Sequence, residues 1–244
     1  MRIALLSDIH SNLVALDAVL AHAGQVDAVW HLGDVVGYGP DPDGVVARLV
    51  AVGAVGVLGN HDAAALGGPE IEWFNPDAMA AAAWTRDTIS EATRGWLSAQ
   101  PVTRVADGFS LVHGSPRDPL REYVTTPEIA RANMDVLETS YGLHGHTHIP
   151  VAFIEVDRRI TVVKPGDATT IPLSGDRAML NPGSVGQPRD GDPRLPTPSW
   201  TQRRVWQAGI GSPTTLPPSR PRCARCACRR AWRRGSRTGC RHLP

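Results

Sequence analysis

Apolar positions Ile3 to Leu6 form one unbroken run between Arg2 and Ser7, the pattern of a short strand buried on both faces. The period then changes. Leu13, Leu16, Val19 and Leu20 recur at helical spacing behind Asn12, a good N-cap, and predict a helix over Leu13–Ala23. Ala28-Val-Trp-His-Leu32 reads as a second strand. Asp41 as N-cap and Pro42 in the first turn open a second helix that ends before Gly53. Ala54-Val-Gly-Val-Leu58 reads as a third strand. Strand, helix, strand, helix, strand at this spacing predicts an α/β fold with a parallel sheet. Asn75-Pro76-Asp77 starts an alanine-rich helix reaching about Ser90, and a shorter helix follows near Arg94–Ala99. Phe109–Val112 is a further strand, and Thr126-Pro127-Glu128 opens a helix reaching about Glu138. Beyond Tyr141 the pattern is mostly strand, at Val151–Val156, Arg159–Val163 and Ala178–Leu180.

The chain has 244 residues, 42% of them apolar and 20% charged, which suits one large core or two small ones. No apolar run approaches the ~18 residues of a membrane-spanning helix. The N-terminal run stops at Asp8, short of the ~7–15 apolar residues of a secretion signal, so a cytoplasmic location is expected. The net charge of +1 conceals a break. Residues 1–194 carry all 24 acidic residues against 13 arginines and one lysine, a balance of −10. Residues 195–244 carry 11 arginines and no acid. They also hold all four cysteines and seven of the 21 prolines, with almost no periodicity.

Three readings compete for this basic segment. It could bind nucleic acid or an anionic surface. Cys223, Cys226, Cys228, Cys240 and His242 could take up zinc, although their spacing fits no common zinc pattern. The third, adopted here, is an absence of selected structure caused by a frameshift. Thr197-Pro-Ser-Trp-Thr201, read one base earlier, permits Tyr-Ala-Leu-Leu-Asp, with the Asp forced by the Trp and Thr codons. Such a segment would suit a buried strand, and its loss would uncover an edge of the second sheet.

Five short motifs hold most of the histidines, and each follows a predicted strand: Asp8-Ile-His10, Gly33-Asp34, Gly59-Asn60-His61-Asp62, His113-Gly114 and Gly145-His146-Thr147-His148. Ligands of open α/β sheets sit beyond the carboxyl ends of the strands, so the five groups can share one crevice. Two aspartates, four histidines and an asparagine suit manganese, iron, zinc, cobalt or nickel better than calcium or magnesium. Seven side chains are too many for one tetrahedral ion and right for two ions sharing a carboxylate, the clamp used for in-line displacement at phosphorus.

In this order the motifs resemble those of the calcineurin-like metallophosphoesterase superfamily, especially its small prokaryotic phosphodiesterases. The resemblance covers about Met1 to Arg194 and includes Asn181-Pro-Gly-Ser-Val-Gly186. It implies a two-sheet β-sandwich flanked by helices over 1–194; the basic segment over 195–244, read from its composition as disordered or frameshifted, would stand in place of the native last strand. It implies one divalent ion on Asp8, His10, Asp34 and His148 and a second on Asp34, Asn60, His113 and His146, manganese being the first expectation. His61 matches the family's catalytic histidine, and Asp62 would orient it. The implied reaction is hydrolysis of a phosphodiester by in-line attack of a metal-bridging hydroxide, with a phosphomonoester or nucleotide as alternatives. The superfamily's protein phosphatases and its diadenosine tetraphosphate hydrolases carry an Asp-Arg pair after the bridging aspartate. Gly33-Asp-Val-Val-Gly-Tyr-Gly39 has no arginine, which argues against both. A non-catalytic scaffold or binding module on the same fold is the alternative function; it would be expected to lose ligands or His61, and none is missing.

Outside the motifs, His22 is expected on a solvated helix face, His31 inside the second strand, and His144 beside the ligands. Asn12 is either a cap or a substrate contact, and Arg117 either a phosphate partner or a surface residue, with Arg189 a weaker version of the same. Trp73, Phe74 and Trp84 either pack the helical insert or line a nucleobase pocket. The expected partner is a small phosphoester, with no membrane, and nucleic acid only through the basic segment.

Overall fold

The computed structural model describes residues 1–164, 173 and 177–189, and the backbone of 206–209. These all fall within one unit spanning Met1–Ile210. Three strands follow the predicted parallel order: β1 (Arg2–Leu6), β2 (Ala28–His31) and β3 (Val55–Gly56), connected by α1 (Leu13–Ala23) and α2 (Pro42–Ala51). Asn12 caps α1 by accepting from the Ala15 N–H, and Asp41 caps α2 by accepting from Gly44. Between β3 and the second sheet lie α3 (Asn60–Ala65), a 3-10 turn (Pro69–Trp73), α4 (Pro76–Thr88) and α5 (Glu91–Ser98).

The second sheet has six strands in the order β4-β5-β6-β9-β7-β8. They are β4 (Thr103–Ala106), β5 (Phe109–Val112), β6 (Tyr141–Leu143), β7 (Val151–Val156), β8 (Arg159–Val163) and β9 (Arg177–Asn181). Its centre is parallel, β5 to β6 to β9, and its edges are antiparallel hairpins. Helix α6 (Pro127–Met134) enters between β5 and β6 and packs on the sheet's outer face.

Strand β1 shows why its run is apolar at every position. Ile3 and Leu5 face the core between the sheets, with Trp30, Leu32, Phe109, Leu111 and Leu180. Ala4 and Leu6 face the other way, into a core made with Leu16, Val19, Val45 and Leu49 of α1 and α2. In β9, Ala178 and Leu180 point inward and Met179 outward, against Met134 of α6. Two sheets, each covered by helices on its outer face, therefore follow from strands whose two faces are both buried.

Several details depart from the sequence reading: α5 starts at Glu91 rather than near Arg94, α6 ends at Met134 rather than near Glu138, and the 3-10 turn was not expected. α3 and β4 were not predicted. The basic segment also supplies a strand: β10 (Trp206–Gly209) pairs antiparallel with β1, placing Ala208 opposite Ile3. It covers an edge of the first sheet, not the second. Composition hid it, because Gln, Ala and Gly are weak strand formers flanked by arginines and prolines. Residues 190–205 and 210–244 lie outside the described residues, as do the four cysteines and His242.

Candidate metal centre

The five motifs converge. Asp8 and His10 follow β1, Asp34 follows β2, and Asn60 and His61 open α3. His113 follows β5, and His146 and His148 follow β6. The loops after β1 and β2 are laced by backbone bonds, Asp8 N–H to Gly33 O at 3.1 Å and His10 N–H to Asp34 O at 3.0 Å. Asp8, His10, Asp34, His146 and His148 all have φ between 49° and 65°, a left-handed conformation that non-glycine residues adopt only when the surroundings impose it.

The donor atoms fall into two buried groups, Asp8 with His10, Asp34 and His148, and Asp34 with His113 and His146. Asp34 belongs to both. Asn60 joins the second group, its Oδ1 lying 2.8 Å from His113 Nε2. Each histidine spends one ring nitrogen on a backbone carbonyl. His10 Nδ1 donates to Val36 at 3.2 Å, His113 Nδ1 to Leu32 at 2.8 Å, and His146 Nε2 to Arg121 at 3.3 Å. His148 Nδ1 donates to the Gln187 carbonyl. A carbonyl only accepts, so these nitrogens carry the protons and the tautomers are fixed.

The remaining nitrogens turn inward and crowd one another. His10 Nε2 lies 3.2 Å from His148 Nε2, and His113 Nε2 lies 3.1 Å from His146 Nδ1. His148 Nε2 lies 3.2 Å from Asp8 Oδ1, which is buried without a hydrogen-bond partner. Lone pairs and carboxylate oxygens gathered in a buried space suit cations, so the residues fit divalent metal ions.

The protonation pattern agrees. Burial pushes His10 down to about 3, and burial with the His113 charge pushes His146 down to about 3, so both are neutral donors. Burial would raise Asp34, but the charges of His113 and His61 hold it well below the usual carboxylate range. His113 goes the other way. Burial opposes its proton, yet the Asp34 charge and hydrogen bond, with help from Asp8, push it up to about 9. A metal ion binding there must displace that proton.

His61 stands beside this centre with Nδ1 buried and unpartnered. Its backbone N–H donates to Asp34 Oδ1 at 2.8 Å. Asp62 does not orient its ring as expected. Asp62 Oδ1 accepts from Val36 N–H at 2.9 Å and Oδ2 from Gly59 N–H at 3.0 Å, so its carboxylate braces two loops. Burial and the Asp34 charge push Asp62 up to about 7. The His61 ring is held instead by aromatics. Phe74 stacks on it at 4.4 Å between centroids, and Tyr38 lies 4.5 Å away.

The candidate substrate residues divide. Arg117 pairs with Glu122, which also accepts from Ser115 and Asn133, so its guanidinium is committed to its own loop. Asn12 caps α1, while its Nδ2 donates to Gly186 O at 3.4 Å. His31 and His144 are buried and belong to neither donor group. No helix among the described residues is long and apolar enough to cross a membrane.

The description of the calcineurin-like phosphoesterase superfamily domain matches residues 1–197. The chain belongs to this superfamily. Among solved structures it resembles a metallophosphoesterase of Sphaerobacter thermophilus, 40% identical, with a TM-score of 0.71 over 80% of this chain and 81% of that one. An uncharacterised protein of Methanocaldococcus jannaschii is 34% identical over 200 residues, 78% of each chain. A symmetrical bis(5'-nucleosyl)-tetraphosphatase of Pectobacterium carotovorum is 33% identical over 114 residues, 44% of this chain and 40% of that one. The phosphoesterase domain also uses two residues of the Asn181–Gly186 motif in ways the sequence did not show. Asn181 Nδ2 donates to Gly145 O at 2.6 Å and Thr147 Oγ1 at 3.0 Å, fixing the loop that carries His146 and His148. Ser184 Oγ donates to Asp8 O at 2.8 Å. Both lie in Asn181–Gly186, a motif visible in the sequence whose contacts were not.

Proposed function

We propose that the chain is a dinuclear metal-dependent phosphoesterase acting on phosphodiester bonds. The observation that supports it most is the sharing of Asp34 by two donor groups whose histidine tautomers are already fixed by backbone carbonyls. In this reading Asp8, His10 and His148 would hold one ion, Asn60, His113 and His146 would hold the other, and Asp34, which belongs to both donor groups, would serve both. Divalent ions there would activate water and neutralise phosphoryl charge, manganese being the first candidate. The chain does the rest. Buried walls exclude bulk water, which strengthens every charge interaction with the phosphoryl group. His61, tethered to Asp34 through its backbone N–H, stabilises the phosphoryl oxygens or protonates the leaving oxygen, and Phe74 and Tyr38 keep its ring in place. Asp62 supports His61 through the loops at Val36 and Gly59.

Hydrolysis of bis-p-nitrophenyl phosphate tests this, measured with Mn²⁺, with EDTA, and with Asp34→Asn beside the unaltered protein. Turnover that needs Mn²⁺ and vanishes in the variant is expected. A folded, metal-loaded protein without turnover on this diester or on p-nitrophenyl phosphate would overturn the proposal and favour a binding scaffold.

A further inference from the structure

Two of the loops around the site do more than carry ligands. The turn before α4 stacks Phe74 on His61 and presents Trp73 beside it, 46% exposed. The loop after β5 lays Tyr123 flat on the His146 ring, 3.9 Å between centroids and 13° between planes, while the Arg121 carbonyl accepts from His146 Nε2. The two arms meet where the Arg121 guanidinium lies over the Trp73 indole, 4.6 Å from its centroid. Arg189 approaches from a third side. Its backbone N–H donates to the His148 carbonyl at 3.4 Å, and its guanidinium, near Tyr38 and Tyr123, donates to the side-chain Oε1 of Gln187 at 2.7 Å.

Only some of the arginines are neutralised by ion pairs. Arg117, Arg131 and Arg177 are each paired with a carboxylate. Among the described residues, no carboxylate lies within ion-pair distance of Arg121 or Arg189. A guanidinium resting on an indole keeps its charge for an anion, and an exposed indole beside buried metal donors has a face to offer a planar ring. Trp84 is equally exposed at 46% on α4, yet has no ring contact with the site among the described residues.

We propose that Trp73 and Arg121 form the recognition subsite for the organic half of the substrate, and that this half is a nucleotide. A base would stack on the indole, while Arg121 would turn from the indole to a phosphate or ribose-phosphate charge; Arg189 would take a further phosphoryl oxygen. The inference rests on the phosphoesterase reading of the metal centre and adds the class of substrate.

Calorimetric titration of the full chain in Mn²⁺ with AMP, ribose 5-phosphate and inorganic phosphate tests it. Base stacking contributes enough that AMP is expected to bind about 10-fold tighter than ribose 5-phosphate. Trp73→Ala should remove that preference and leave ribose 5-phosphate binding unchanged, and Trp84→Ala should change neither. Arg121→Ala should weaken AMP. Equal affinities for AMP and ribose 5-phosphate, or a preference that survives Trp73→Ala, overturn the nucleotide inference while leaving the phosphoesterase reading intact. Failure of all three ligands to bind also overturns the nucleotide inference, while the phosphoesterase reading stands or falls with diester turnover.

Discussion

Gly59 stands where a single methyl group meets the bridging carboxylate. Its φ of −100° is open to any residue, so the backbone raises no objection to Gly59→Ala. The space does. A Cβ there would lie 2.1 Å from Asp34 N, 2.2 Å from Asp34 Oδ1 and 2.9 Å from Asp34 Cα. Ordinary contact distances would require a shift of roughly 1 Å or more between the two segments. Asp34 is poorly placed to yield, because its carbonyl accepts from His10 N–H and its Oδ1 from His61 N–H. Overpacking of this kind costs about 1–3 kcal/mol. At about 2–4 °C per kcal/mol for a domain of this size, Tm should fall by about 2–12 °C. Because Asp34 serves both donor groups, a displacement of ~1 Å should also lower turnover about 100-fold. Calorimetric Tm, bound-metal content and diester hydrolysis measure the three effects. Gly95→Ala is the control: it lies in α5 with nothing within 4 Å, and should stabilise by up to ~1 kcal/mol. Gly59→Ala with the parental Tm and a full metal complement would show that Asp34 is not held as described.

Asp34→Asn should lower metal content in both donor groups together, whereas Asn60→Ala should affect one; elemental analysis of the purified proteins separates these patterns. His61→Ala should cut turnover by about 10²–10⁴-fold with metal content retained, and a variant of full activity would remove His61 from the chemistry. Burial pushes His31 to about 3 and His144 to about 4, so both are neutral in the fold and take up protons only on unfolding. Their stability contribution is therefore full above pH 6.5 and lost as pH falls, by about 2 kcal/mol each at pH 5. Urea melts at pH 7.5 and 5.0 should show that loss, and a pH dependence unchanged in His31→Leu would refute the His31 share. We further propose that residues 195–244 arise from a one-base shift in the coding DNA, since the composition breaks after residue 194 and the superfamily match stops close by, at residue 197. Resequencing is expected to restore a frame with the Asp that the Trp200 and Thr201 codons force; an unbroken frame in independent isolates would refute it.

The ligand constellation was legible because each motif is local. A glycine, a carboxylate and a histidine at the end of an apolar run survive as a pattern even when their partners lie 138 residues away, as Asp8 and His146 do. The helices were legible from their caps, Asn12 and Asp41 among them. Strand β4 had a signal, the Asp107-Gly108 turn into β5, but its exposed edge lacks a buried face. The role of Asp62 was misread because adjacency to His61 in sequence says nothing of where a carboxylate points; it points at Val36 and Gly59. Phe74, Tyr123 and Arg121 carry no motif at all, and their value comes from rings that meet only in three dimensions.

The centre draws its donors from both halves of the sandwich. Asp8, His10, Asp34 and Asn60 hang from the first sheet, and His113, His146 and His148 from the second. An ion seated among them is a removable rivet through the whole domain. Losing it and prying the sheets apart would be linked events, so resistance to unfolding would rise with the logarithm of free metal concentration. A cell short of metal would then lose copies of the protein to proteolysis as well as the work of those that survive, because the folded population itself is set by metal supply.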